Sequence, residues 1–193
     1  MAMHNELWFP SVIWSAVIHT VKNSDVKTFA YYLQKTEPTR QASNFGGYQS
    51  RDITKGECEG VDKLVETIDA EMETICKQVG LKPVQLYNLW ININSPGCYN
   101  EIHDHKDAIF SGVYYVDAQP EQGNIMFDRG DNAEYHINPG MVDKVTYFTS
   151  GRAPYVSKTN ALYIFPAWLK HSVQGNTSNT DRISISFNYG EPK

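Results

Sequence analysis

Arg182-Ile183-Ser184-Ile185-Ser186-Phe187-Asn188-Tyr189 alternates polar and apolar residues without a break. Side chains at i and i+2 of an extended chain share a face, so the run reads as a strand. Arg182, Ser184, Ser186 and Asn188 lie on one face; Ile183, Ile185 and Phe187 lie on the other. A polar strand face usually meets solvent, but in a barrel it can also point inward. Working back along the chain, short apolar runs recur at 161–166, 141–149, 124–128, 109–117 and 85–94. Turn signals separate them: Pro96-Gly97, Gly123-Asn124, Gly130-Asp131-Asn132, Pro139-Gly140, Gly151 and Gly175-Asn176. Short strands at this rhythm indicate a sandwich or barrel.

The first 83 residues have a different character. Residues 7–20 read as an opening strand with Pro10 at an edge or bend. Ser24-Asp25 offers an N-cap to a helix carrying Val26, Phe29, Ala30 and Leu33, which Pro38 ends. Residues 39–60 read as a polar loop around Gly46-Gly47-Tyr48-Gln49-Ser50. Leu64, Val65, Ile68, Met72, Ile75, Cys76 and Val79 then form one apolar stripe at helical spacing, with Gly80 placed to close the helix. The expected organisation is a single α+β, mainly β domain: a helical preface over 1–83 and a β core over 84–193.

Apolar residues make up 41% of the 193, enough for a packed core and too many for a disordered chain. The net charge of −5 argues against a nucleic-acid partner. The three cysteines, Cys58, Cys76 and Cys98, have unrelated spacings, which suggests neither a disulfide framework nor a thiolate zinc site. Met1 to Asn5 carries no charged start to a secretory signal, and no apolar run approaches membrane-spanning length. The expectation is a cytoplasmic protein without a membrane segment. A homodimer is the default expectation.

Within the β half stands Asn100-Glu101-Ile102-His103-Asp104-His105, with His171 further on, just after Phe165-Pro166. In an extended segment His103 and His105 share a face and Asp104 points away. With His171 brought in by the fold, three imidazoles can hold one ion and leave coordination positions open. Arg182, if it faces the same interior, is a fixed cation whose fork matches a carboxylate.

Together, His103-Asp104-His105, His171 and Arg182-Ile183-Ser184, set among short strands, resemble the double-stranded β-helix (jelly-roll) barrel of the Fe(II)- and 2-oxoglutarate-dependent oxygenases. Gly46 to Ser50, Trp90-Ile91-Asn92, Ser111-Gly112-Val113-Tyr114-Tyr115-Val116 and Phe165 to His171 are similar to segments of a bacterial and phage group of these enzymes. The resemblance implies Fe(II) as metal, 2-oxoglutarate as cosubstrate and hydroxylation as the reaction, with no catalytic side chain beyond ligands and anchor. His103 and His171 match the family's iron-binding histidines. Arg182 matches the residue that grips the far carboxylate of 2-oxoglutarate, with Ser184 beside it. Tyr115 matches a strand tyrosine that bonds the same carboxylate, and Asn92 lies where it can touch the cosubstrate.

One position departs from the family, which usually supplies a carboxylate where this chain has His105. Strand parity favours His105 as third ligand; Asp104 through a kink, or Asp107, are the alternatives. The substrate, a small molecule or a peptide, is not legible, although loops 40–60, 128–136 and 150–160 are placed to meet it. Two other readings compete. A cupin-type three-histidine enzyme shares Gly97 and the His-x-His, but it lacks the glutamate expected near Ile109-Phe110 and the Pro-x-Gly where Pro166-Ala167-Trp168 stands. The other is a non-catalytic metal-binding barrel.

Overall fold

The computed structural model describes residues 3–131 and 133–192; Met1, Ala2 and Lys193 lie outside it, as does Asn132 of the turn expected at 130–132. The alternation in the last strand and its partners is what lays out the molecule. Strands β4 (Gln85–Asn94) and β11 (Arg182–Gly190) pair antiparallel along nearly their whole length. Leu89, Ile91, Ile93, Ile183, Ile185 and Phe187 face one way and join the main apolar core. Asn88, Trp90, Asn92, Asn94, Arg182, Ser184 and Ser186 face the other way and line a cavity. The pleat thus separates an oily face from a polar face on the same two strands.

The oily face is covered by two helices. α1 (Asn23–Thr36) buries Val26, Ala30 and Leu33, and α2 (Glu59–Val79) buries Leu64, Ile68, Met72, Ile75 and Cys76. Each fully buried aliphatic side chain here contributes about 2 kcal/mol. Glu59 and Asp62 in the first turn of α2, with Lys77 in its last, complement the helix dipole. Gly80 ends α2 at φ +74°, the left-handed conformation that glycine adopts without strain, and the next N–H, of Leu81, bonds back to the Cys76 carbonyl.

Eleven strands form two antiparallel sheets among the described residues. The remaining strands are β1 (Trp14–Val17), β2 (Asn44–Phe45), β3 (Tyr48–Gln49), β5 (Tyr99–His103), β6 (Phe110–Asp117), β7 (Ile125–Asp128), β8 (Arg152–Tyr155), β9 (Ala161–Pro166) and β10 (His171–Val173). The six-stranded sheet runs β1-β9-β6-β11-β4-β3, and the five-stranded sheet runs β2-β5-β10-β7-β8. A second apolar cluster joins them: Val113, Tyr115 and Phe165 from the larger sheet meet Ile125 and Phe127 from the smaller. No helix among the described residues is long and apolar enough to cross a membrane.

Several sequence expectations shift. The opening strand shortens from 7–20 to 14–17, because Phe9 turns to φ +57° beside Pro10. Ser24-Asp25 sits inside the first turn of α1, not at its cap, and Ser24 Oγ donates to Asp25 Oδ1 at 3.2 Å. The strand expected at 141–149 is absent. Met141, Val145, Tyr147 and Phe148 are exposed there, and Thr146 and Thr149 bond the local backbone in a compact turn. Residues 39–60 are not all loop, since β2 and β3 add an edge strand to each sheet.

Candidate metal and diacid site

β5 ends on His103 and β10 begins on His171, and the two are directly opposed in the smaller sheet. The chain leaves β5 at Asp104, and the His105 N–H is caught by the Ala167 carbonyl at 2.9 Å. That bond ties the segment after β5 to the turn between β9 and β10. The three rings meet: centroids lie 4.3 Å apart for His103 and His171, and 5.2 Å for each of the other pairs. Their ligand atoms all lie within 4.8 Å of one another, and neither Asp104 nor Asp107 joins that group.

The tautomers are set by the backbone. His103 Nδ1–H donates to the Glu101 carbonyl at 2.7 Å, and His171 Nδ1–H donates to the Leu169 carbonyl at 2.9 Å. Each leaves Nε2 as a lone pair, the arrangement metal-binding histidines use. Burial keeps the rings neutral. It pushes His171 down to about 3 and His105 down to about 4, with the neighbouring His103 adding to both, and it lowers His103 as well. Phe165, 4.7 Å from the His171 ring, and Phe127 form an apolar wall that excludes water. Three neutral, converging imidazoles, two of them oriented by backbone carbonyls, fit a divalent ion.

Arg182 lies in the same cavity and is 1% exposed. Its Nη1 donates to the carbonyls of Gln122, of Gly123 at 3.1 Å and of Gln174 at 3.5 Å. Gln122 is itself pinned, its amide donating to Thr180 Oγ1 at 2.8 Å and to the Asp181 carbonyl at 3.1 Å. No described carboxylate pairs with Arg182. Burial lowers its pKa, yet a guanidinium remains charged. A buried cation without a counter-ion is costly, and an anionic ligand in the cavity relieves that cost.

Beside it, Tyr115 and Ser184 are opposed across β6 and β11, both buried, and neither hydroxyl has a hydrogen-bond partner among the described residues. Burial pushes the Tyr115 phenol up to about 12, against the pull of Arg182, so it stays a donor. Asn92, opposite Ser184, also lines the cavity and donates to Ser186 Oγ at 3.0 Å. The cavity measures about 490 Å³, ample for a small diacid together with part of a second molecule.

The family model described as "Putative 2OG-Fe(II) oxygenase" matches residues 88–188, more than half of the chain. The chain belongs to this family of 2-oxoglutarate-dependent oxygenases. A comparison with curated proteins finds no match. Among solved structures, it is similar to a Pseudomonas putida prolyl-4-hydroxylase at 16% identity and TM-score 0.65, over 95% of this chain and 94% of that one. It is also similar to the epimerase SnoN in complex with Fe3+, alpha ketoglutarate and nogalamycin RO, at 16% identity and TM-score 0.68, over 94% and 79%. A third likeness is to a Trichoplax adhaerens prolyl hydroxylase in complex with a peptide fragment, at 12% identity and TM-score 0.66, over 92% and 83%. At these identities the likeness concerns the fold.

The structure brings every residue singled out from the sequence (His103, His105, His171, Arg182, Tyr115, Ser184 and Asn92) to one cavity. It adds to that cavity residues to which the sequence alone assigned no role. Trp90, 6.0 Å from the His105 ring, and Asn88 share the alternation of β4, a period-2 signal readable in 85–94. Ser43 and Gln49 come from the 39–60 segment, where no periodicity marks them. Ser43 Oγ lies 3.4 Å from His103 Nε2 and accepts from Asn100 Nδ2 at 3.2 Å.

Proposed function

We propose that the protein is an Fe(II)- and 2-oxoglutarate-dependent dioxygenase that hydroxylates its substrate, with His103, His105 and His171 as metal ligands and Arg182 as the diacid anchor. The two sheets are read as the double-stranded β-helix of that family, one domain with residues 1–83 as a preface to the core at 84–193. The observation that carries the reading is Arg182: a buried guanidinium, fixed by backbone carbonyls and lacking a carboxylate, in the same cavity as three convergent imidazoles. A cupin-type enzyme or a plain metal-binding barrel gives that cation no task.

When bound, iron and 2-oxoglutarate supply the oxidation: dioxygen is consumed, 2-oxoglutarate becomes succinate and carbon dioxide, and a substrate C–H becomes C–OH. The chain's own residues bind and orient. The Nε2 lone pairs of His103 and His171 are aimed by the Glu101 and Leu169 carbonyls. Arg182 holds the far carboxylate in charge-assisted hydrogen bonds, and the free hydroxyls of Tyr115 and Ser184 donate to the same group. Asn92 lies within the cosubstrate's reach. Phe127, Phe165 and Val113 keep the wall behind His171 dry, which strengthens each of these interactions.

His105 makes the ligand set neutral where the usual set carries a carboxylate. One less negative charge weakens the hold on Fe(II) and shifts its redox properties. The substrate is read as a small molecule or a peptide. The test is turnover of 2-oxoglutarate to succinate with added Fe(II) under air, alongside a His171→Ala variant. The reading expects succinate from the parent and none from the variant. Equal succinate from both, or none from an iron-loaded parent, rejects it.

A further inference from the structure

We infer that Gln49 is a substrate-recognition residue whose carboxamide binds an uncharged group presenting an N–H beside a C=O, a peptide bond or a carboxamide. The inference rests on the oxygenase reading above and places the substrate on the opposite side of the cavity floor from the diacid.

The floor is a row of four side chains on four neighbouring strands. Tyr115 is opposed to Ser184, Ser184 to Asn92, and Asn92 to Gln49. Directly opposed residues share a sheet face, so all four look into the cavity. Strands lie roughly 4.8 Å apart, so Gln49 stands about 14 Å across the sheet from Tyr115. Arg182, Tyr115 and Ser184 take the diacid at one end. Gln49 is left at the other, beyond the reach of a five-carbon diacid held there.

Gln49 is built to present its side chain and nothing else. Its N–H donates to Thr39 Oγ1 at 3.0 Å, and its carbonyl accepts from the Arg40 N–H at 2.9 Å. The next residue locks the strand to β4: the Ser50 N–H donates to the Ile91 carbonyl, and the Ile91 N–H donates to Ser50 Oγ, each at 2.9 Å. The residue is 7% exposed, yet its carboxamide has no hydrogen-bond partner among the described residues. Its amide atoms are not sealed from solvent: they open onto the cavity, where a ligand can displace the water they meet. Beside it, Asn92 spends its N–H on Ser186 and keeps its Oδ1 free as an acceptor.

The chemistry of the pair selects the ligand class. A carboxamide offers a donor and an acceptor side by side, which an amide matches in kind. Neither Gln49 nor Asn92 carries a charge to meet an anionic or cationic group. A substrate carboxylate at this position would face Asn92 Oδ1, acceptor against acceptor, and the cation that lines this end of the cavity, Arg40, is already paired with Asp52 at 2.6 Å.

The experiment uses the ¹⁵N-labelled protein loaded with Zn(II) and 2-oxoglutarate, titrated with N-methylacetamide and, separately, with acetate, which has no N–H. The readouts are the backbone amide resonances of β3 and β4, which report affinity in the parent and in the variants alike, and the Gln49 side-chain NH₂ resonance, assigned by its loss in Gln49→Leu. The inference expects the amide to shift that resonance and to bind at least about tenfold more tightly than the acid. Gln49→Leu, and Gln49→Glu as a variant of equal size, should each weaken the amide at least about fivefold while keeping dispersed spectra. Equal affinity for amide and acid, or amide affinity within about twofold of the parent in Gln49→Leu, overturns it. The titration is repeated without metal and 2-oxoglutarate. A protein that shows no response to 2-oxoglutarate rejects the oxygenase reading, and the amide titration of the unloaded protein still decides the subsite.

Discussion

Arg182→Met asks the sharpest question of the site. Arg182 is the buried cation proposed to hold a diacid, and methionine fills similar space without charge. Two charge-assisted hydrogen bonds at the low end of their range are worth about 3 kcal/mol, which is about a hundredfold in 2-oxoglutarate affinity. The fold itself should change little, because two effects oppose. The carbonyls of Gln122, Gly123 and Gln174 lose their donor, which destabilises. A buried charge without a counter-ion is also removed, which stabilises. The assay is thermal unfolding of the Mn(II)-loaded protein without oxygen. At a 2-oxoglutarate concentration of about 100 times the parent's Kd, the parent gains about 2.7 kcal/mol, or roughly 5–10 °C in Tm. At the same concentration the variant sits near its own Kd and gains about 0.4 kcal/mol, roughly 1 °C. Arg182→Lys keeps the charge without the fork and should fall between them. A folded Arg182→Met protein with the parent's ligand-induced shift refutes the reasoning.

Other expectations follow from the same geometry. His103→Ala and His171→Ala should each abolish stoichiometric iron, whereas His105→Asp should retain or tighten it, and metal analysis after desalting decides; loss of metal in Asp104→Ala in place of His105→Ala would contradict the assignment. In chelator-treated protein, burial holds His171 down to about 3 against an ordinary value of 6.5. Below pH 6.5 the unfolded chain then binds more protons than the folded one, so stability present above that pH is lost as the pH falls. By pH 5 His171 alone costs about 2 kcal/mol, and the melting temperature should drop by several degrees between pH 7 and pH 5; a flat profile contradicts it. Gly112→Ala would set a methyl 2.2 Å from the Phe187 ring and 2.8 Å from the Tyr163 carbonyl. The backbone atom cannot give way, so chemical denaturation should show a loss of about 1–3 kcal/mol; a loss below about 0.5 kcal/mol would mean that the strands part more easily than their packing implies.

The sequence was most legible where one face of an element differs chemically from the other. α2 ran where its stripe placed it, and β4 and β11 where their runs did, because periodicity reports burial and these elements are buried on a definite side. The same parity put His103 and His105 together even though β5 ends at His103. Legibility failed where hydrophobicity does not mark burial. Residues 141–149 are apolar and exposed, so their composition suggested a strand that no partner completes. The two-residue strands β2 and β3 are too short to carry a period, and they exist only because β5 and β4 offer them an edge. Loop 40–60 was expected to meet the substrate and Gly46 to Ser50 resembled a family segment, but no period gave Gln49 or Ser43 a role of its own, and the free side of Arg182 could be seen only once its neighbours were in place.

The central claim is that one ion held by three imidazoles and one diacid held by Arg182 occupy the same cavity. An anaerobic crystal structure with Fe(II) and 2-oxoglutarate, with iron located by its anomalous scattering, tests it most directly. The account expects iron on the Nε2 atoms of His103 and His171 and on the His105 ring, with the distal carboxylate on Arg182. Iron coordinated through Asp104, or a diacid bound away from Arg182, contradicts it.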